Sequence, residues 1–362
     1  MFKHGGQLER IKKQNPKQTL EWIDLSTGIS PYSYPMVEDA SNSVSSLPQQ
    51  HKALEQAACD YYGVAQLLVT PGSMWSIQNL PMMRKLHYAN DSRPVLIPGQ
   101  GFNEHQKAWQ SWGFDIELYD SCPTERQLKA AQACVVINPN NPTGHMLEPK
   151  KLLEMLNVLS KAQAWLVVDE AFIDNTENLS VSSVSLRSVD NLIVLKSFGK
   201  YFGLPGLRVG ALIAPSQILA TSKRLLNEWS ISSTAQSIAI SAWKDTQWQL
   251  GANEKLRVSG NRLHGLLNKL GYKTQGTHFF QTHYSPHACA LYIFLLAQGI
   301  YIRLLDDESG VRFGLPRHEA HWQRLERALS DFKSVDLTKQ NTKQLKTTRQ
   351  GNQTKLKKAE TA

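Results

Sequence analysis

The 362-residue chain is 41% hydrophobic, 9% aromatic and 20% charged, a composition that supports sizeable packed cores and excludes a disordered or fibrous protein. No apolar run is long enough to span a bilayer, and the opening Met-Phe-Lys-His-Gly-Gly lacks the apolar centre of a secretory signal, so a cytoplasmic protein with no membrane partner is expected. Cys59, Cys122, Cys134 and Cys289 show no CxxC spacing, which argues against a disulfide framework and against a metal site of the zinc type.

The net charge of +9 is unevenly placed: between Thr338 and Ala362 seven basic residues face Glu360 alone. The stretch 335–362 has few apolar residues, reads as a disordered and solvated tail, and gives no reason to expect a nucleic-acid partner. The length favours two domains. The expected division is an N-terminal arm with part of a small domain over 1–46, a large domain over 47–235, a small domain over 236–334, and the tail.

In chain order, residues 1–46 are rich in Gly and Pro: His4-Gly5-Gly6, then Ser26-Thr27-Gly28-Ile29-Ser30-Pro31, then Tyr34-Pro35. They read as extended chain and turns. Residues 49–62 read as a helix with Leu54, Ala57, Ala58 and Tyr61 on one face. Leu67-Leu68-Val69 reads as a short strand running into Gly72-Ser73, and Ile77 to Leu86 as a helix. Strand, Gly-Ser turn and helix N-terminus form the layout of an anion site.

Val95-Leu96-Ile97 is the next predicted strand, followed by Gly99, Gly101 and Phe102. His105, Ala108, Trp109 and Trp112 carry a helical spacing. Cys134 to Ile137 is a strand that breaks into Asn138-Pro139-Asn140-Asn141-Pro142-Thr143-Gly144, a turn dense in Asn and Pro. Leu152, Leu153, Leu156 and Leu159 form an amphipathic helix. Trp165 to Val168 is a strand ending in Asp169-Glu170. Leu192 to Leu195 is a strand ending in Lys196-Ser197-Phe198-Gly199-Lys200, and Arg208 precedes a further strand over Val209–Ile213. Residues 215–270 read as mostly helical, with Trp229, Trp243 and Trp248 in the core. Residues 277–333 mix short strands, including Ile300–Arg303 and Val311–Gly314, with helices.

Short apolar strands alternating with helices across 65–213 predict a parallel sheet covered on both faces. Its polar strand-end loops converge in space, at the end of the sheet where α/β proteins bind ligands. Lys200 sits where a strand gives way to a Gly-rich turn. Ser197 supplies a hydroxyl and Arg208 a bidentate guanidinium, both suited to a phosphate. A phosphate-bearing aldehyde cofactor, pyridoxal 5′-phosphate (PLP), accounts for all three.

The order of Asn141-Pro142-Thr143-Gly144, Asp169-Glu170-Ala171-Phe172, Ser197-Phe198-Gly199-Lys200 and Gly206-Leu207-Arg208-Val209-Gly210 resembles the fold-type-I PLP enzymes, the class I and II aminotransferase superfamily. The resemblance spans nearly the whole chain except the tail. It implies an α/β fold with a large domain, its mainly parallel sheet sandwiched by helices, plus a smaller α+β domain. It also implies roles. Lys200 is the catalytic lysine that holds the cofactor. Asp169 pairs with the pyridinium nitrogen, Asn141 bonds the ring 3-oxygen, and Phe102 stacks on the ring. Gly72, Ser73, Ser197 and Arg208 hold the phosphate. Arg312 clamps the substrate carboxylate.

Within that superfamily His4-Gly5-Gly6, Ser26 to Pro31, Leu47-Pro48 and Arg312-Phe313-Gly314-Leu315-Pro316 are similar to the threonine-phosphate decarboxylases of cobalamin biosynthesis. This implies a small phosphorylated amino-acid substrate. His4, Gly5 and Arg303 would take its phosphate end, and Gly28, Asn141 and Arg312 its amino-acid end. A homodimer is also implied. The alternative is a histidinol-phosphate-type or other amino-acid aminotransferase. Such relatives usually carry hydroxyls where this chain has Leu47, Phe172 and Gly199, and the decarboxylases usually carry Asn where it has Ser30.

Overall fold

The computed structural model describes residues 4–16, 18–36, 46–49, 52–183 and 190–333. The expected basic tail, 335–362, lies outside them. The elements, in order, begin with α1 (Leu8–Gln14), β1 (Ile23–Asp24), α2 (Lys52–Tyr62), β2 (Leu68–Thr70), α3 (Ser73–His87), β3 (Val95–Pro98) and α4 (Glu104–Ser111). Next come β4 (Ile116–Tyr119), α5 (Glu125–Ala130), β5 (Ala133–Ile137), α6 (Pro149–Lys161), β6 (Trp165–Asp169), β7 (Leu192–Ser197), the single turn α7 (Phe198–Tyr201) and β8 (Gly210–Ile213). The chain continues with α8 (Ser216–Leu225), α9 (Ser233–Lys244), α10 (Thr246–Lys269), β9 (Thr274–Thr277), β10 (Phe280–Tyr284), α11 (Ala288–Ala297), β11 (Ile300–Tyr301), β12 (Arg303–Leu304) and β13 (Gly310–Gly314). A last helix, α12, spans 319–333.

The larger of two compact units holds Gly28–His264 and Thr274–Thr282. Its seven-stranded sheet has the order β2-β8-β7-β6-β5-β3-β4. Strands β4, β3, β5, β6 and β7 run parallel. Strand β8 is antiparallel to β7, and β2 is antiparallel to β8. Every residue of β5 and β6 is buried, which is why these segments read as unbroken apolar runs rather than alternating ones. Val95, Ile97, Val135, Val167, Ile193, Leu195 and Leu212 form one core with Ile77, Leu80 and Met83 of α3 and with Trp109 of α4. Helix α6 buries Leu152, Met155, Leu156 and Leu159, the expected stripe with Met155 added and Leu153 left out.

Trp229, expected in the core, is 54% exposed. Trp112 lies just past α4, which stops at Ser111 before that residue completes its stripe. Two elements carry no periodic sequence signal. Strand β4 has Glu117 and the exposed Leu118 near the sheet edge. It lacks both the apolar run and the clean alternation that mark a strand. Helix α5 has only six residues and is set by a Thr124–Gln127 capping box.

The smaller unit holds the described residues up to Thr27, then Gly265–Lys273, then those from His283 onward. Strand β1 pairs in parallel with β11, and β12 pairs antiparallel with β13. The described residues of 28–46, together with 236–264 and 274–282, expected outside the large domain, go with the large unit. Ser30 N donates to Lys200 O at 2.9 Å, Tyr34 N to Phe202 O at 2.9 Å, and Tyr201 Oη to Gln249 O at 2.9 Å.

Candidate active site

Strand direction decides which loops meet. β5, β6 and β7 run the same way, so the loops after them emerge along one edge. Because β8 runs backwards, its start, not its end, lies at that edge, which returns Arg208 to the side from which Lys200 departs. Residues at or just past the ends of β2, β3, β5, β6 and β7, and before β8, line one cavity of about 120 Å³, and they include Gly72, Ser73, Phe102, Asn141, Asp169, Ser197, Lys200 and Arg208.

Part of the cavity lining is built to take an anion. Gly72 has φ +76° and precedes the first residue of α3, whose first turn holds no acidic side chain. A β-carbon at Gly72 would stand 2.8 Å from Arg208 Nη2; only glycine lets the guanidinium lie over this backbone. At Gly210 a β-carbon would come within 2.6 Å of Ser73 N, so a second glycine lets β8 lie against the start of α3. The free N–H groups and positive dipole end of α3, the Ser73 and Ser197 hydroxyls and Arg208 thus share one region.

The lining also carries a buried carboxylate. Asp169 is 3% exposed. Its Oδ1 accepts from Ala171 N at 3.1 Å, and its Oδ2 lies 2.8 Å from Nε2 of the equally buried His105. In the sequence the imidazole stands only as part of a helical stripe. Its signal was present: a polar ring on the buried face of α4, one turn after Phe102, needs a hydrogen-bonding partner.

Asn141 is set by a loop clamped from a distance. Thr282 Oγ1 donates to Pro142 O at 2.6 Å. A β-carbon at Gly144 would lie 2.4 Å from Gly276 Cα, so the two backbones touch. The Asn138–Pro139 and Asn141–Pro142 peptides are cis. Lys200 Nζ lies 5.4 Å from the centroid of the Phe172 ring. Phe172 packs edge-on against Phe279 and Phe280, and Gly28 leaves room for Phe172, since a β-carbon there would stand 2.9 Å from Phe172 Cε1.

A second cluster lies in the small unit. Arg303 and Arg312 are direct partners across β12 and β13. Arg312 is buried and donates through Nη2 to Ser26 O at 2.8 Å. Burial and then the neighbouring Arg303 hold its guanidinium below the ordinary range, at about 10. Arg303 Nη2 bonds Asp306 Oδ1 at 2.6 Å. The His4-Gly5-Gly6 segment lies on the same Ser26: Gly6 N donates to Ser26 Oγ at 2.8 Å, and a β-carbon at Gly5 would sit 2.1 Å from Ser26 O. Gly5, Arg303 and Arg312 are therefore brought together, while Gly28 stands with Phe172 in the large unit.

The aminotransferase class I and II family matches residues 3–319. The chain belongs to the class I and II aminotransferase family. It is 36% identical over 334 residues to a threonine-phosphate decarboxylase of Pseudomonas aeruginosa, covering 92% of this chain and 98% of the relative. It is 32% identical over 339 residues to a threonine-phosphate decarboxylase of a Sinorhizobium species, covering 90% and 97%. Its fold is that of a histidinol-phosphate aminotransferase of Sinorhizobium meliloti solved in complex with pyridoxal 5′-phosphate, with a TM-score of 0.79 at 18% identity, covering 92% and 99%.

PLP is the cofactor of this aminotransferase-family chain, and the large-unit cavity fits it chemically. Its lining combines a cation, hydroxyls and a helix N-terminus with a buried carboxylate. The departures at Gly199, from aminotransferase relatives, and at Ser30, from the decarboxylases, also have local causes. At Gly199 a β-carbon would meet Pro205 Cα at 2.7 Å, so serine would not fit without backbone movement. Ser30 is buried and uses its hydroxyl within its own turn, with Tyr32. Among the described residues no cluster could hold a metal ion, and no helix is long and apolar enough to cross a membrane.

Proposed function

We propose that this enzyme decarboxylates O-phospho-L-threonine, releasing carbon dioxide and the phosphate ester of 1-aminopropan-2-ol, the linker of the cobalamin nucleotide loop. The observation that carries the reading is the pairing of Arg303 with Arg312. Like charges directly opposite each other in a sheet are unfavourable; Asp306 answers Arg303 in part, and a substrate with a carboxylate and a phosphate would bring an anion to each guanidinium. Two relatives named for this reaction, each matched over nearly its full length, support it.

PLP, when bound, supplies an electron sink for the pair released as a bond to the substrate Cα breaks. The chain's residues do the rest. Ser73, Ser197 and Arg208 would hold the cofactor phosphate, with Gly72 allowing the close approach. Asp169, oriented by His105 and Ala171 N, would keep the ring nitrogen protonated by charge pairing. Asn141 would bond the ring oxygen and Phe102 would cover the ring face. Arg312 would grip the substrate carboxylate and Arg303 its phosphate, and these two anchors would choose the bond that breaks. The Phe172, Phe279 and Phe280 wall would exclude water beside the Lys200 amine. Lys200 would deliver the proton that replaces carbon dioxide on Cα.

The deciding experiment incubates PLP-loaded protein with O-phosphothreonine. Stoichiometric carbon dioxide without an amino acceptor is expected. Amino transfer to 2-oxoglutarate without carbon dioxide would mean the aminotransferase reading is right.

A further inference from the structure

Two charged side chains that the proposed reaction does not use flank its residues in sequence. Glu170 follows Asp169, and Lys196 precedes Ser197. Both are buried, and Lys196 Nζ lies 2.5 Å from Glu170 Oε2. Ser180 Oγ donates to the same oxygen at 2.5 Å and lies 2.9 Å from Lys196 Nζ. Val181 N donates to Glu170 Oε1 at 2.8 Å, and Ser182 Oγ lies 2.6 Å from Ser180 Oγ. From α2, the Tyr62 ring centroid is 5.1 Å from Lys196 Nζ.

Burying two charges is costly, and an apolar pair of similar volume serves stability at least as well. The charges therefore point to a task besides holding the core. Their place suggests which. Successive side chains on a strand face opposite ways, so Lys196 and the cavity-lining Ser197 lie on opposite faces of β7. Glu170 N donates to Leu195 O at 2.9 Å, which extends the β6–β7 ladder one residue past Asp169. The ion pair repeats that tie through side chains, and the bonds to Ser180 and Val181 add a third segment. All of this occurs where Asp169 and, one turn beyond β7, Lys200 enter the cavity.

We propose that Glu170 and Lys196 are positioning residues: as a paired, neutral unit they fix Asp169 relative to Lys200 without adding a net field to the cofactor site. The proposal rests on the reading of Asp169 and Lys200 as cofactor-binding groups. On its far side Asp169 faces His105 of α4, so it is braced from both neighbouring layers.

The test uses the PLP-loaded protein. Lys196→Met leaves the Glu170 carboxylate with its Ser180 and Val181 donors but without its cation. Cofactor affinity is expected to fall roughly tenfold or more. The pH midpoint of the lysine–cofactor absorbance is expected to rise by roughly half a unit, because an uncompensated negative charge favours the protonated form. Glu170→Gln combined with Lys196→Met removes both charges and is expected to restore the midpoint. A Lys196→Met protein with wild-type affinity and midpoint, whatever its melting temperature, overturns the proposal. If that variant does not fold, Lys196→Arg keeps the charge while altering its reach. Its midpoint should stay and its affinity should fall, and unchanged affinity overturns the proposal. Lys200→Ala run in parallel separates the two readings. Retained absorbance there refutes the role of Lys200 and the proposal with it. Lost absorbance there, beside an unaffected Lys196→Met, refutes only the role of the pair.

Discussion

His105 Nε2 and Asp169 Oδ2 lie 2.8 Å apart, and both side chains are almost wholly buried. A buried carboxylate depends on its donors, and Asp169 has this one beside Ala171 N. His105→Leu should therefore leave a folded protein whose carboxylate is poorly held. A hydrogen bond to a charged group is worth about 1.5–3 kcal/mol, so kcat should fall roughly tenfold to a hundredfold. Steady-state kinetics with saturating PLP would check this, and an unchanged kcat would show that Ala171 N alone suffices.

Lys200→Ala should remove the visible absorbance of the lysine-bound cofactor and all turnover while the fold persists. A visible spectrum and a melting curve on one sample suffice. An unaltered spectrum would assign the cofactor to another lysine.

Arg303→Ala should separate substrate from cofactor. KM for O-phosphothreonine should rise roughly tenfold to a hundredfold, the worth of a charge-assisted bond, while the PLP dissociation constant stays within about twofold. Equal losses of both would reject the assignment of Arg303 to the substrate phosphate.

Acid stability should register Asp91. Its carboxyl is lowered from 3.8 to about 2, chiefly by its bond to Arg93 and also by Arg84, whose side chain is fully buried. A carboxyl with a lower pKa in the folded state stabilises above its unfolded value and loses that contribution as pH falls toward 2. Asp91→Asn should lower the melting temperature at pH 7, because a buried guanidinium loses its charged partner at a cost of roughly 3 kcal/mol. The gap from wild type should narrow as pH drops below about 4. A gap independent of pH would mean the ion pair contributes little.

Most of the sheet is legible in the sequence because β3, β5, β6 and β7 are apolar on both faces and end in Gly, Asn, Asp or Lys-bearing loops. Motif order then placed Lys200, Asp169, Asn141 and Arg208 in one cavity. What it missed depends on distance or direction. No local pattern announces that β8 runs antiparallel, that Gly276 holds the Asn141 loop, or that Trp229 points to solvent. His105 had a recognisable spacing, but its partner lies 64 residues away. Glu170 and Lys196 stand inside recognisable motifs, but their pairing is visible only once β6 and β7 lie side by side.

The reversal of β8 has a thermodynamic corollary. The stretch from Lys200 to Arg208 leaves and re-enters the sheet at a single edge. Under the proposed function, a cofactor joined to Lys200 and held through its phosphate by Arg208 would close that stretch into a ring. Cofactor occupancy and the order of this loop would then form one linked equilibrium, with saturating PLP raising the thermal stability of the large unit and its loss loosening both ends of the loop together.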